Sequence, residues 1–337
     1  MLMSGDATYE SFDIPLKLET VDLGDLLGAS FREVVTDGLP VVKPARADIA
    51  GMLARYRGDD VIAAIPPVMG ECTYEQLAAM AVLAGCPASV FPVLVAALQA
   101  VVHDRFNLLA VQTTTGNVAV AVLVSGPAAS EMGFHCGCNG LGPGPRANVT
   151  TGRALRLALM NVGGAIPGLL DVSCLGWPGK LSCCAVEHTG GSPWTPFHTD
   201  RGFARDATIV TVTAAYGFIE MADAVSTSVE PLLANLSGMM AAARASGSRG
   251  SEALVLLTPQ HAHTFAQAGL DRHDVQVRLH ERLANLDQHV DGASGKSLRM
   301  VTTPEDVLLF VTGGNGGKSA LVPLWGGSHS ASIAVAK

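Results

Sequence analysis

The sequence predicts an α/β fold made of two duplicated strand-helix-helix-strand modules that form mixed sheets, with a Gly/Cys-rich central insert. Two observations predict it. The apolar runs NVAVAVLVSG, ATIVTVTAAY, ALVLL and DVLLFVTGG read as strands buried on both faces, and helical segments separate them. The same order of signals is also written twice. DDVIAAIPPVMGECTYEQLAAMAVLAGCPASVFPVLVAALQAV from Asp59 leads to TTTGNVAVAVLVSGP, and SEALVLLTPQHAHTFAQAGLDRHDVQVRLHERLANL from Ser251 leads to VTTPEDVLLFVTGGNGG. Each copy gives strand, Pro-containing turn, helix, Ala-Gly break, second helix, Thr-Thr, strand and Gly-rich turn. Pro67 and Pro259 are therefore expected in equivalent turns about a pseudo-twofold.

Along the chain, residues 1–47 carry acids, prolines and short apolar patches without a sustained period, an arm expected to pack on the body or to join a homo-oligomer. Residues 48–129 form the first module. ADIAGMLARY is a short helix, VIAAIPP a buried strand closed by prolines, and TYEQLAAMAVLAG a helix with Thr73 as N-cap and Gly85 as its stop. Residues 130–206 are the insert, and residues 207–337 the second module. The strand carboxyl ends, where ligands bind in open α/β sheets, present Pro66, Glu71 and Cys72, then Thr258 and His261, then the loop Gly313 to Lys318 with Gly314 counted among the substrate contacts.

Composition narrows the function. A chain of 337 residues that is 48% apolar can bury one large core or two modest ones, and a net charge of −8 opposes a broad grip on nucleic-acid phosphates. No stretch reaches the roughly 20 apolar residues of a membrane span, so no membrane partner is expected. MLMSGDATYESFDIPLKLE lacks the basic start and apolar run of a secretory signal, so the expectation is a cytoplasmic protein with its seven cysteines reduced. TGGNGGKS ends like a phosphate-binding P-loop, but Thr312 stands where that motif needs glycine and ALVPLWGGSHS does not continue as a helix.

The insert carries the chemistry. In GLGPGPRANVTTGRALRLALMNVGGAIPG a Gly-Pro loop leads into a helix with Asn148 or Thr150 as cap and Gly163-Gly164 as stop, and its positive end favours an anion. Arg146 and Arg153 lie beside that end, and Arg156 is one turn on. The competing reading is a capped structural helix with solvated arginines. GFHCGCNG supplies His135, Cys136 and Cys138, and KLSCCAVEH supplies Lys180, Cys183, Cys184, Glu187 and His188. If the latter is a strand, Cys183 and Glu187 share one face while Cys184 and His188 share the other. Thiolates activated by cations or a helix end can serve as nucleophiles or soft-metal ligands, and the competing reading is small buried cysteines. The metal set would be His135, Cys136, Cys138, Cys183 and His188, for zinc or another soft divalent ion, although neither Cys-x-Cys nor Cys-Cys matches a zinc knuckle. SPWTPFHTDRGF adds His198, Asp200 and Arg201 on a Pro-rich loop. His261 and His263, before or at the start of a helix, are a weak metal hint whose competing reading is exposed surface histidines.

With GPRANVTTGRALRLALMNVGGAIPGLLDVSCLGWPGKLSCCAVEH and SPWTPFHTDRGF in view, the chain resembles the bacterial UGSC-type (seleno)protein family. The likeness extends to AGCPASVFPVLVAALQA and TGGNGGKSA. Asn148, Gly152, Arg153, Arg156, Gly163, Gly164, Lys180, Glu187, Pro193 and Trp194 are the family-like positions. The resemblance implies an α/β protein with an enzymatic role and transfers no reaction. The chain lacks a Ser-Cys terminal segment of the kind the family name suggests, which weighs against carrying redox chemistry over.

The leading expectation is an enzyme acting on a small anionic molecule at the module junction, by thiol- or metal-assisted hydrolysis or by lyase/hydratase chemistry. Arg146 and Arg153, with Asn148 and Arg156 nearby, would hold the acidic group. Cys136, Cys138 or Cys183 would act as nucleophile or metal ligand, Glu187 or His198 would move protons, and Lys180 would steady negative charge. The alternatives are a non-catalytic thiol or metal carrier and a structural subunit of a larger enzyme.

Overall fold

The computed structural model describes residues 18–28, 31–243, 250–286 and 299–336. The arm contributes β1 (Thr20–Asp22), α1 (Gly24–Leu27) and β2 (Glu33–Val35), followed by α2 (Arg46–Met52), β3 (Val61–Ile65) and β4 (Gly70–Thr73). Next come α3 (Tyr74–Ala84), α4 (Phe91–Val101), α5 (Leu108–Thr113), β5 (Ala119–Ser125), α6 (Ala128–Glu131), α7 (Arg146–Asn161), β6 (Cys184–Val186), α8 (Phe197–Asp200) and β7 (Ile209–Ala215). The rest is β8 (Ile219–Ala222), α9 (Val229–Ala243), β9 (Ala253–Leu257), α10 (Pro259–Gln267), α11 (Arg272–Leu286), β10 (Val307–Val311), β11 (Lys318–Pro323) and β12 (Ala331–Ala334).

The fold is α/β with two mixed four-stranded sheets, β12-β7-β5-β6 and β10-β9-β11-β8, packed face to face between outer layers of helices. Period-two alternation explains the layering, because β5, β7, β9 and β10 are buried on both faces. Leu123 of β5 and Ala185 of β6 meet Leu254, Leu256, Leu308 and Phe310 between the sheets. Val122 and Val124 face outward to a core that includes Leu77, Leu94 and Leu155 from α3, α4 and α7, while Val255 and Leu309 meet Leu232, Phe265 and Leu279 from α9, α10 and α11. Among the described residues no single helix is long and apolar enough to cross a membrane.

Local signals fix several elements as the sequence predicts. Thr73 Oγ1 accepts from the Gln76 N–H at 3.2 Å, the Gln76 side chain accepts from the Thr73 N–H at 3.0 Å, and Gly85 ends α3 with a φ of +83°. The four continuous apolar runs are β5, β7, β9 and β10.

The equivalence between copies is different from the one the sequence suggests. VIAAIPP forms β3, which pairs with β4 in a two-stranded ladder, whereas ALVLL forms β9, an interior strand of a four-stranded sheet. Pro67 and Pro259 thus follow unlike strands. A short apolar run before a proline reads the same in a half-exposed hairpin as in a buried strand, and Val61 is 49% exposed. The two large sheets do share strand order and sense: β5 corresponds to β9, β6 to β10, β7 to β11 and β12 to β8, with one parallel pair in each. Helix α7 is therefore the crossover joining the parallel pair β5–β6 rather than part of an appended insert. Strands β7 and β12, read from the sequence as second-module, belong to the first sheet. The described part of the arm packs on this same chain, with Asn161 exchanging hydrogen bonds of 2.7 and 2.9 Å with the Val35 backbone.

Candidate functional site

The amino end of α7 is built for internal contacts. The helix begins at Arg146, with Pro145 before it, so neither Asn148 nor Thr150 is its cap. Asn148 is buried and its side chain staples the preceding loop, accepting from the His135 N–H at 3.0 Å and donating to the carbonyls of His135 and Gly140 at 2.7 and 3.0 Å. Arg146 donates to the Gly85 carbonyl at 2.8 Å. Arg153 grips Asp37 through two N–H groups at 2.6 and 2.8 Å and also meets the Leu39 and Pro40 carbonyls. Its planar fork is thus satisfied by the chain's own arm, and the anion seat expected at Arg146, Asn148 and Arg153 is instead a clamp.

The cysteines do not converge into a metal centre: among the described residues no group of three or more His, Cys, Asp or Glu is placed to hold an ion. All seven thiols are unpaired. Alternation around β6 is as predicted, since Cys183 packs toward the inter-sheet core and Cys184 toward the helices. Burial pushes the Cys183 thiol up to about 12 and raises Cys184 and Cys136 as well, which opposes the thiolate that a nucleophile needs. Cys138 is exposed, and its carbonyl meets His135 Nε2 at 2.9 Å. A Cβ on Gly314 would stand 3.2 Å from Cys138 Cα, so that glycine serves close approach of two loops. The His188 N–H donates to the Val311 carbonyl at 2.8 Å.

Two of the expected residues do meet. Arg156 and Lys180 both bind Asp171, at 2.7 and 2.6 Å, beside a cavity of about 470 Å³ lined also by Trp177, Leu175 and Asp37. Burial lowers the Lys180 pKa, and the Asp171 carboxylate opposes that shift. Asp171 carried no sequence signal of its own, apart from the need of two buried cations for an anion. Contact between this loop and β5 is at the amino end of the strand, opposite Ser125.

The second centre lies at the carboxyl ends of the parallel pair. Ser125 is the last residue of β5 and Glu187 follows β6, and both continue the inward-facing series of Leu123 and Ala185. The Ser125 hydroxyl donates to Glu187 Oε2 and meets His198 Nδ1 at 2.6 Å, with all three residues buried. The Phe197 N–H donates to Glu187 Oε1 at 2.8 Å, and the Arg272 guanidinium approaches the same oxygen at 3.5 Å. Burial raises the Glu187 pKa despite the Ser125, Phe197 and Arg272 contacts that favour its charge. Burial likewise lowers His198, leaving a neutral ring. Ser125 escaped the sequence reading; its signal was a single hydroxyl ending an apolar strand just before Gly-Pro.

The loop from Ser192 to Arg205 carries His198 and has a cavity on each side. One, of about 500 Å³, lies outside the strand ends and is lined by Gly126, Pro127, Thr189, Trp194 and Arg205. The other, of about 820 Å³, runs along the edge between the sheets. The loop is tied down by Arg272, which binds Asp200 and the Thr195 carbonyl, and by Trp194 Nε1, which donates to the Leu270 carbonyl at 3.1 Å.

A pH dependence follows. Because the folded-state pKa of His198 is below its ordinary 6.5, the unfolded chain binds the proton more readily. Stability from this group is full above pH 6.5 and is lost as pH falls through 6.5 toward the lower folded value. The raised Glu187 pKa acts in the opposite sense, stability falling as pH rises from 4.5 toward its folded value. Urea unfolding at pH 7.5 and 5.5 should show a smaller acid-side loss for His198→Gln than for the wild type; equal losses would place the titrating group elsewhere.

No protein-family model, curated protein or solved structure matches this chain.

Proposed function

We propose that this chain is a cytoplasmic enzyme that moves protons on a small anionic substrate, in a lyase- or hydratase-type addition or elimination, at the carboxyl ends of β5 and β6. The observation that carries the reading is the buried Glu187–Ser125–His198 chain beside the cavity at those ends. Its order argues against a serine nucleophile. In a hydrolase triad the imidazole stands between hydroxyl and carboxylate, whereas here the hydroxyl stands between them and is suited to pass protons. A neutral imidazole and a carboxyl group with a raised pKa are matched partners for such a relay.

His198 Nε2 lies 3.4 Å from the carbonyl of Arg205, a residue that lines the cavity, and the Ala204 backbone also meets the ring. In the tautomer that carries its proton on Nδ1, this nitrogen has the free lone pair and is the one that takes a proton from substrate carbon. The Nδ1 proton passes to Ser125 Oγ, whose own proton goes to Glu187. Returned along the relay, that proton leaves with the departing hydroxide as water, so one C–H and one C–O bond break while a C=C bond and a water form. Arg205 supplies the charge for the anionic group. Lys180 and Arg156, family-like positions in the proposed UGSC-type resemblance, act at the other end of β5 and hold structure through Asp171.

The test uses a panel of 2- and 3-hydroxycarboxylates with their unsaturated counterparts, following conjugated C=C absorbance and deuterium uptake at carbon by proton NMR. Wild type should turn over at least one pair, and His198→Gln should lose roughly 10²–10⁴-fold in rate, the usual worth of a positioned acid–base group. Arg205→Gln should raise KM more than it lowers kcat. A wild type that exchanges no carbon-bound proton, or a His198→Gln variant of undiminished rate, overturns the reading.

A further inference from the structure

The larger cavity, on the opposite side of the Ser192–Arg205 loop, is lined by charges of both signs, three arginines and five carboxylates, so an anion's seat there is set by which arginine is left without a counter-charge. Ser330 and Ser332, flanking Ala331 on β12, present hydroxyls to it, and Phe197, Phe203, Trp194 and Leu308 supply apolar wall. Arg201 lies among them. Its Nε donates to Ser332 Oγ at 2.9 Å and its Nη2 to Ser330 Oγ at 2.8 Å. Among the described residues no carboxylate lies within ion-pair distance of Arg201. The nearby Glu252 is occupied, accepting from the Ser330 N–H and hydroxyl at 2.6 Å each. A guanidinium has five N–H donors, so Nη1 and one Nη2 hydrogen are left for a ligand.

A second, independent observation points the same way. Arg272 also lines this cavity, its side chain is 4% exposed, and its Nε is buried without a hydrogen-bond partner. Orphaned buried donors are uncommon and costly in native proteins, and this one belongs to a side chain that lines the cavity. The two guanidinium groups flank one ring: Arg201 lies 5.6 Å and Arg272 6.0 Å from the centroid of Phe197. That stacking fixes both planes beside an apolar surface.

We propose that this cavity is a binding site for a carboxylate with an aromatic or aliphatic body, the carboxylate seated on Arg201 and the body against Phe197, Phe203 and Leu308. A volume of about 820 Å³ accommodates such a molecule. Selectivity over a neutral amide follows from Arg201, whose bound partners are hydroxyls and which gains its first direct counter-charge from the ligand. The site does not depend on proton transfer at the strand ends.

Calorimetric titration of the whole chain with phenylacetate, hexanoate and phenylacetamide tests it. Both carboxylates should bind, with phenylacetamide weaker by about tenfold or more, the worth of one charge-assisted contact. Arg201→Gln should weaken phenylacetate by about tenfold or more, Arg201→Lys less, and Ser332→Ala by a few-fold, so that the seat can be read even if one variant does not fold. Arg205→Gln, which alters the other cavity, should leave phenylacetate affinity within about twofold, since separate sites act independently. The proposal is overturned if neither carboxylate binds, if the amide binds as well as the acid, or if Arg205→Gln weakens binding while the Arg201 variants do not. Failure of the turnover assay leaves these titrations unaffected, so the two readings fail separately.

Discussion

Asp171→Ala should destabilise the fold by about 3–5 kcal/mol, the cost of removing one partner from a buried ion group. Asp171 is 5% exposed at its side chain, Arg156 13% and Lys180 15%, so solvent replaces little of what is lost. Arg156 also donates to the Ala165 carbonyl at 3.0 Å, which holds its guanidinium in place after the carboxylate has gone. The two cations differ in their recourse. Lys180 already has a pKa lowered by burial and can shed its proton, whereas arginine does not deprotonate in proteins. Asp171→Ala/Lys180→Met should therefore recover only part of the loss, because the unpaired Arg156 remains. Urea unfolding of both variants measures this. A loss below about 1 kcal/mol for Asp171→Ala would mean that the group behaves like a solvent-screened surface pair.

Arg153 and Arg156 show what the sequence could and could not disclose. Their placement on an amphipathic helix with a Gly-Gly stop was legible, because helical period and stop signals are local. Their partners were not, since Asp37 lies 116 residues from Arg153 and only the fold joins them. An arginine that will hold a ligand looks the same in sequence as one that will hold its own chain. The strands β5, β7, β9 and β10 were legible because burial on both faces writes itself as unbroken apolar runs. The misassigned VIAAIPP fails for the same reason in reverse, as a half-exposed hairpin strand of alanine and isoleucine imitates a central one. The cysteines were readable as small residues near β6, but thiolate chemistry depends on cations within reach, and burial dominates instead. Glu187 and His198 stood out in the sequence as candidate acid–base residues. Their meeting was not, because it takes place on Ser125, 62 and 73 residues away respectively.

Gly126→Ala should be the most damaging small substitution beside the proposed site, costing about 2–5 kcal/mol from backbone strain and overpacking together. Gly126 has a φ of +131°, which side-chain-bearing residues rarely adopt. An added Cβ would stand 2.3 Å from the Ala207 carbonyl oxygen and 2.5 Å from Thr208 Cα, backbone atoms that cannot swing aside. These atoms lead into β7, whose Ile209 pairs with Ser125, so relief of the clash must move the strand paired with the Ser125 end of β5. Thr208 Oγ1 also accepts from the Ala128 N–H at 3.0 Å, tying the same segment to the turn after β5. Gly133→Ala supplies the control. Its φ is +87°, but nothing lies within 4 Å of an added Cβ, so it pays the strain without the clash. Unfolding midpoints should place Gly126→Ala well below Gly133→Ala, and proton NMR of His198 should shift only in the former. Equal midpoints would show that the turn after β5 yields freely, and a hydroxyl held by so compliant a turn would not keep Ser125 within hydrogen-bond reach of both Glu187 and His198.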